Sequence, residues 1–299
     1  MFKNHIFVAL RNFQKRKSFT FINILGLTVG MTVCLLILTY ARYEMSYDKY
    51  HSKADDIYRI TVDIYNGNDF QVADAQCYPA AGKLAKEEFS EIEDYAMTRH
   101  FGRLLLKNGD KAFNEDRVYW ATPSWLKVFD WQMVRGDRES ALNDTDALVI
   151  TESTAKKYFG DEDPIGKFLT VVPGGVEVPM VVRGVVKDVP ENTHLKFDIL
   201  ISYASAVKYE DSSYDDFGGN NEFMYILANK PLGNDFVERF NASYFEKTDV
   251  FEERGDSLAI QALTDIHLNS DKTYEAEANG SQSIVSILLV VAGFVLLIA

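Results

Sequence analysis

The stretch Ser18–Ala41, SFTFINILGLTVGMTVCLLILTYA, contains no Asp, Glu, Lys or Arg. As a helix it would be roughly 36 Å long at about 1.5 Å per residue, enough to cross a hydrocarbon core of about 30 Å. A helix also satisfies its backbone hydrogen bonds within one segment, as a bilayer requires. The stretch therefore predicts a membrane-spanning helix. The alternative, a cleaved signal peptide, is disfavoured because the apolar run is too long and no clear cleavage site follows it.

The flanks of this stretch predict its orientation. Residues 1–17 carry five basic residues and no acidic one. Basic residues beside a span stay in the cytoplasm, so the N-terminus is expected inside and residues 42–283 outside. Within residues 1–17, apolar residues of 2–13 share one helical face, which predicts a basic amphipathic helix at the cytoplasmic interface. The alternative is an unstructured basic tail.

The end of the sequence repeats the apolar signal. Ile284–Ala299 is a run of 16 uncharged residues, slightly short of a span, and we interpret it as the truncated start of a second transmembrane helix. The alternatives are a C-terminal anchor and a buried core helix. In the first span, Gly26 and Gly30 form a Gly-x-x-x-Gly pair, which predicts helix packing in the membrane.

The composition limits the functions of the central region. The chain has 31 basic and 44 acidic residues, and without residues 1–17 the remainder has 26 and 44, a net charge of −18. A domain this acidic should repel nucleic acid. Cys34 lies in the first span and Cys77 outside it, so we expect no disulfide between them.

Two β-α-β units predict a membrane-anchored α+β fold. In 58–65, apolar residues alternate with Arg59, Thr61 and Asp63, which predicts a strand with one solvated face. A helix over 78–89 and a strand over 93–100 complete the first unit. A strand at 222–228, a helix at 235–246 and a strand at 258–263 form the second. Together, 57–100 and 201–268 suggest a split, ferredoxin-like subdomain.

The intervening residues 101–200 predict an inserted, mainly β subdomain. Glycines separate its short apolar runs, and two short helices are expected at 123–129 and 152–159. The predicted strands cover 104–107, 118–121, 147–150, 168–172 and 178–187.

No catalytic, cofactor or metal site emerges from the sequence, so we expect a protein that is not an enzyme. GDEDPIGK at 160–167 resembles a P-loop, but its spacing is wrong, no Ser or Thr follows the Lys, and its acids would face the phosphates. It is interpreted as a turn. The five histidines show no ligand spacing. No Pro or Gly interrupts Leu35–Asp56, which predicts a stiff helical rod leading from the membrane to the domain.

The chain resembles the N-terminal half of MacB/FtsX-type ABC transporter permeases of the kind common in Bacteroidetes, along essentially its whole length. The resemblance rests on several motifs in order. They are FINILGLTVGMTVCLLILTYARYEMSYDKYH at 21–51, IYR at 57–59, ATPSWLKVFDW at 121–131, LVITESTAKKYFGDEDPIGK at 148–167, VVRGVVKDVPENTHLKFDILISY at 181–203 and NGSQSIVS at 279–286.

The resemblance implies a multi-pass permease of the bacterial inner membrane with a periplasmic, MacB-like core domain over residues 42–283. It also implies that the split subdomain of 57–100 and 201–268 is porter-like. It further implies a separate ABC ATPase subunit, a permease dimer partner that is identical or different, and a lipid bilayer. A periplasmic adaptor or outer-membrane component is compatible with it. Such permeases transmit ATP-driven motion to the periplasm for export or extraction of substrates. The order of a span, an outer domain and a second span is also compatible with an alternative function, that of a membrane-anchored sensor or receptor.

Overall fold

The computed structural model describes residues 15–247 and 255–298, so the predicted amphipathic helix of 2–13 lies outside the described residues. Two compact units result, a helical unit (up to Ser46 and from Gly280) and an α/β domain, Tyr47–Asn279. The helices are α1 Lys17–Glu44, α2 Pro79–Glu88, α3 Trp125–Val128, α4 Glu152–Phe159, α5 Tyr203–Tyr209, α6 Asn234–Glu246, α7 Ile266–Asn269 and α8 Gln282–Ile298. The strands are β1 Ile57–Asn66, β2 Asp69–Asp74, β3 Ile92–His100, β4 Leu104–Asn108, β5 Lys111–Glu115, β6 Val118–Ala121, β7 Met133–Gly136, β8 Ala147–Thr151, β9 Phe168–Val172, β10 Val178–Val186, β11 Ile199–Ser202, β12 Phe223–Ala228 and β13 Ser257–Ala262.

The helical unit consists of α1 and α8, which pack against each other. Among the described residues, α1 is the one helix that is long and apolar enough to cross a membrane, and α8 is a shorter apolar helix. The predicted rod towards Asp56 is wrong, because α1 ends at Glu44. Asp48 adopts a left-handed φ of 57° and donates its backbone N–H to the carbonyl of Asn192. Tertiary bonding thus ends the helical path although no Pro or Gly interrupts it.

The predicted split β-α-β fold is confirmed in the first part of the sheet. Strands β13, β1, β12 and β3 lie in that order, and every neighbouring pair is antiparallel. With α2 between β1 and β3, and α6 between β12 and β13, this is the ferredoxin-like arrangement. Helix α2 lies very close to the sheet, since a Cβ at Gly82 would approach the Met224 sulfur to 2.2 Å.

The inserted, mainly β region continues the same sheet. The strand order runs on from β3 through β6, β11, β8, β10, β9 and β4 to β5, with β2 attached to β1 and β7 to β10. The pairs β6–β11 and β8–β10 are parallel, whereas the other pairs are antiparallel. Residues 47–279 form one compact unit, and the proposed division at residue 100 stays a prediction.

Strand β1 corrects one expectation. Its alternation predicted a solvated face at Arg59 and Thr61, yet both side chains are fully buried. Helices α2 and α6 cover the face of β1 that carries Ile60. The opposite face is covered by α3 and by the chain after β13, which contributes Leu263 to a second core. The sheet is therefore buried on both faces in this region.

Candidate functional site: two linkers held by buried charges

Two segments of the α/β domain lie next to the apolar helices in sequence. We call residues 47–56, which follow α1, the N-terminal linker. Residues 263–279, which precede α8, are the C-terminal linker. Each linker is attached to the sheet by a buried charged group, and these two attachments form the candidate site.

The N-terminal linker is attached through Asp48, whose side chain is fully buried. Its carboxylate accepts a 2.7 Å hydrogen bond from the Thr193 hydroxyl and bonds from the backbone N–H of His194. Nδ1 of His194 lies 3.0 Å from Oδ1 of Asp48, while Nε2 lies 2.6 Å from the Tyr225 hydroxyl. Asp48, Thr193, His194 and Tyr225 are named the Asp48 cluster.

The local chain explains how the Asp48 cluster assembles. Its left-handed backbone turns Asp48 towards the loop between β10 and β11, where Thr193 and His194 lie. Tyr225 comes from β12, on the sheet face opposite α2. Burial alone would raise the pKa of Asp48, but attraction to His194 and the hydrogen bonds lower that pKa below its ordinary value. The carboxylate therefore remains charged in the protein interior.

His51 adds a second contact of the N-terminal linker. Its Nδ1 lies 3.2 Å from Oδ1 of Asp130, and the other oxygen of Asp130 accepts the Ser52 backbone N–H. The ring packs edge-on against Phe129 and Trp131. Within the described part of the chain its Nε2 has no hydrogen-bond partner. Burial lowers the pKa of His51, and this effect exceeds the opposing influence of Asp48 and Asp130.

The C-terminal linker is attached through Arg59 of β1. The two terminal nitrogens of Arg59 bond to the two carboxylate oxygens of Glu275 at 2.5 and 2.8 Å. Gln261 accepts a further bond at 2.6 Å, and Ser270 lies 3.3 Å from Nη2. Burial would raise the pKa of Glu275, but hydrogen bonding and attraction to Arg59 lower it. Arg59, Gln261, Ser270 and Glu275 are named the Arg59 cluster.

Further bonds tie the C-terminal linker to β1 and β2. Lys272 donates to Asp63 at 2.7 Å, with both side chains largely buried. The backbone of Thr273 donates to the carbonyl of Ala73 and accepts from the N–H of Ala75. This forms an isolated parallel bridge beside β2.

The two linkers also contact each other. The rings of Tyr47 and His267 stack with centroids 3.3 Å apart and planes 3° from parallel. His267 is buried in α7. The stack therefore holds the start of the N-terminal linker against α7 of the C-terminal linker.

The chemistry available at this site is that of attachment. Asp48, His194 and Tyr225 are arranged like the acid, base and hydroxyl of a nucleophile relay. However, Asp48 and Tyr225 are 0% exposed and His194 is 5% exposed, so the hydroxyl faces no solvent. In the described ranges, 15–247 and 255–298, no group of three or more His, Cys, Asp or Glu residues could hold a metal ion.

The glycines predicted for helix packing, Gly26 and Gly30, lie in α1. Gly30 is buried, whereas a Cβ at Gly26 would have nothing within 4 Å. Both line a groove of about 780 Å³ that also involves Val295 and Ile298 of α8. Their role in membrane packing stays a prediction.

One further sequence interpretation, that of the P-loop-like segment, is confirmed. Residues 160–167 form a turn, in which the Gly160 backbone has a φ of 66° after α4 and Asp163 accepts the Ile165 N–H. Cys34 and Cys77 are both free and buried. Burial raises the pKa of the Cys77 thiol, which makes it a poor nucleophile.

Sequence reasoning missed the residues of both clusters as a site. Asp48 and Thr193 are 145 positions apart, and Arg59 and Glu275 are 216 apart. The only signal was indirect, since Asp48, Arg59 and His194 all lie within motifs that carry the family resemblance.

These observations define an α/β domain whose chain ends are both attached to its sheet and continue into apolar helices. The family model described as the MacB-like periplasmic core domain matches residues 20–235. Because this match covers most of the sequence, the chain belongs to the MacB-like periplasmic core domain family, found in permeases of the ABC type.

A solved structure resembles this chain in its fold. A crystal structure of a domain from Porphyromonas gingivalis, described provisionally as part of a permease, has a TM-score of 0.63 at 18% identity, covering 80% of this chain and 98% of that one. It shares the overall fold.

Two other solved structures are more distant. The periplasmic region of MacB from Actinobacillus actinomycetemcomitans has a TM-score of 0.48 at 16% identity. That match covers 71% of this chain and 91% of the MacB region. The extracellular domain of the noncanonic ABC-type transporter YknZ from Gram-positive bacteria has a TM-score of 0.46 at 12% identity. That match covers 68% of this chain and 99% of the YknZ domain. A search among curated protein sequences finds no match.

Proposed function

We propose that this chain is the N-terminal part of a permease subunit that transmits motion driven by a separate cytoplasmic ABC ATPase to a periplasmic domain. The subunit works as a dimer in the inner membrane, with its N-terminus in the cytoplasm, and exports or extracts substrates. A periplasmic adaptor or outer-membrane component is a further candidate partner. Family membership, the apolar α1 and the five basic residues among residues 1–17 support this proposal.

The attachment of both linkers is the observation that carries the proposal. A displacement of a helix moves a domain as a body only if the connecting segment stays bound to that domain under load. Breaking a buried ion pair by removing one partner costs about 3–5 kcal/mol, far more than breaking an exposed pair. The Arg59–Glu275 pair on the C-terminal linker is an ion pair of this buried kind. On the N-terminal linker, the buried Asp48 carboxylate is held by the Thr193 hydroxyl and the His194 backbone N–H.

The domain acts as a mechanical body and not as an enzyme in this proposal. Its relay-like Asp48, His194 and Tyr225 are closed to solvent, and their bonds fix the linker to the sheet. Substrate movement then follows from displacement of the whole domain, as the resemblance to mechanotransmitting permeases implies.

The test uses the complete permease reconstituted with its ATPase, spin-labelled at an Asp110→Cys position in the exposed turn after β4. We expect addition of ATP to change the distance between the labels of the two subunits, measured by pulsed electron resonance. Insertion of a flexible Gly-Ser stretch after Ser46 should abolish this change while ATP binding persists, and Asp48→Asn should reduce it. The same label tests orientation, since an impermeant thiol reagent should reach it in intact cells.

The matched control is the same insertion after Ser213, in the exposed loop between α5 and β12, which should leave the ATP-driven change intact. If the insertion after Ser46 leaves the change intact as well, mechanotransmission through the N-terminal linker is wrong. A distance that never responds to ATP in the unmodified complex contradicts the proposal at its first step.

A further inference from the structure

A second site lies away from both linkers, within the inserted region. A cavity of about 310 Å³ opens beside β10 and β11, and its inner wall consists of apolar side chains that are at most 2% exposed. Trp120, Met180 and Ile201 form part of this wall. A volume near 300 Å³ is at the lower end of the range for small-molecule pockets.

The curvature of the sheet creates this cavity. Leu104 of β4 and Trp120 of β6 are separated by four intervening strands in the sheet order, yet both side chains line the same space. The sheet therefore curls around the cavity as a partly closed barrel, and the mouths of barrels are common ligand sites. The turn after β9 contributes Pro173 and Val176 to another wall.

The mouth exposes apolar surface. Val176 is 64% exposed and Tyr209 is 45% exposed, although both are large apolar side chains at the opening of the cavity. Exposed apolar side chains that surround a concave apolar wall are typical of a ligand site, whereas single exposed ones elsewhere need no explanation.

The charges at the cavity select the kind of ligand. Among the lining residues Glu210 is the only charged one, and its carboxylate bonds to Arg99. No Lys, Arg or His lines the wall, so an anionic group in the cavity would lose hydration without gaining a cationic partner. The net charge of −13 adds long-range repulsion of anions.

We propose that this cavity binds a compact apolar group carried by an uncharged or cationic small molecule. The apolar group occupies the space between Trp120, Met180 and Ile201, and its polar or cationic end lies at the mouth near Glu210. Binding here does not depend on the motion of the linkers, so the site and the mechanical role can each fail separately.

The experiment uses the full chain in lipid nanodiscs and three alkyl diazirine probes of equal chain length, ending in an amine, an alcohol and a carboxylate. After photolysis, mass spectrometry maps the labelled residues. We expect the amine and the alcohol probes to label residues that line the cavity. The carboxylate probe should label the same residues at least about tenfold less. Labelling of α1 reports probe dissolved in lipid.

Val176→Asp places a second carboxylate at the mouth and should reduce alcohol labelling of the cavity by about tenfold. Because Val176 is mostly exposed, the variant should fold normally. Phe168→Asp is the matched control, since Phe168 is 60% exposed on the neighbouring β9 but does not line the cavity, and it should label like the unmodified chain. Equal labelling of the cavity by all three probes would overturn the proposal. So would alcohol labelling that is as strong in Val176→Asp as in Phe168→Asp, and the cavity would then be a packing gap without a ligand.

Discussion

The two linkers are attached by different kinds of charged group. The Arg59 cluster joins a guanidinium to a carboxylate through two parallel bonds, with Arg59 fully buried. The Asp48 cluster places a carboxylate beside an imidazole, a hydroxyl and the backbone N–H of His194, and His51 lies on the same linker. Arginine stays charged at every physiological pH, whereas histidine titrates within that range.

This difference separates two ways of weakening the domain. Attachment of the C-terminal linker depends on the fork geometry of Arg59 and should be insensitive to mild acid. Attachment of the N-terminal linker includes His51, a histidine that the fold keeps neutral, and should weaken as the pH falls. The linkers also bind different regions, since Arg59 lies on β1 and His194 lies in the loop before β11.

The largest effect is expected from Arg59→Leu. The largely buried carboxylate of Glu275 would lose its cationic partner, so the free energy of unfolding should fall by about 3–5 kcal/mol. Arg59→Lys, which keeps the charge but loses the fork, should cost less. Denaturant unfolding of the full chain in detergent measures this by Trp fluorescence, because all three tryptophans lie in the α/β domain.

Arg103→Leu is the control for this prediction. Arg103 makes a similar pair with Asp116, but both side chains are more than 60% exposed, so the loss of stability should be far smaller than in Arg59→Leu. Equal losses in Arg59→Leu and Arg103→Leu would show that burial adds nothing to the Arg59 cluster.

A moderate effect is expected from pH, through His51. The pKa of His51 is lowered in the folded chain from an ordinary 6.5, so below that pH the unfolded chain binds a proton more readily than the folded chain does. The contribution of His51 to the free energy of unfolding is therefore fully present above about pH 6.5. Below that pH the free energy of unfolding falls by up to about 1.4 kcal/mol per pH unit. The lowered pKa of Asp48 keeps its contribution intact until the pH drops below about 3.8.

Unfolding experiments between about pH 7 and about pH 5 test this slope. His51→Gln should flatten it, whereas His100→Gln, at an exposed histidine, should leave it unchanged. If the slope survives in His51→Gln, another group causes the acid sensitivity.

The smallest effect is expected from Tyr47→Ala, which removes the stack with His267. Aromatic pairs contribute about 0.5–1.5 kcal/mol beyond area burial, so the free energy of unfolding should fall by at least this amount. Tyr274→Ala, in the same linker as His267 but 67% exposed, should change stability far less. Similar losses in the two variants would argue against a contribution from the stack.

The elements that the sequence predicts best are those with strong local signals. Helix α4 begins after Thr151, whose side chain accepts the Thr154 N–H, and ends before Gly160, so both boundaries are marked. Strand β12 is a continuous apolar run, and all of its six residues are buried. Strand β2 was missed because Asp69–Asp74 is short, begins and ends with Asp, and exposes its first three residues. Its pairing to β1 supplies the structure.

The candidate site could not be predicted in the same way. The alternation in β1 indicates which residues share a face, but not that a distant linker covers the polar face and pairs with Arg59. Likewise, the end of α1 is decided by the bonding of Asp48 to residues about 145 positions away. Long-range polar pairing leaves no periodic signal in a single sequence.

The stack of Tyr47 on His267 has an architectural consequence. The stack joins residues that are 220 positions apart, so excising the domain on the C-terminal side of Tyr47 would remove the aromatic partner of His267. A transfer of the α/β domain to another helical scaffold should therefore carry both linkers, residues 47–56 and 263–279, along with the sheet.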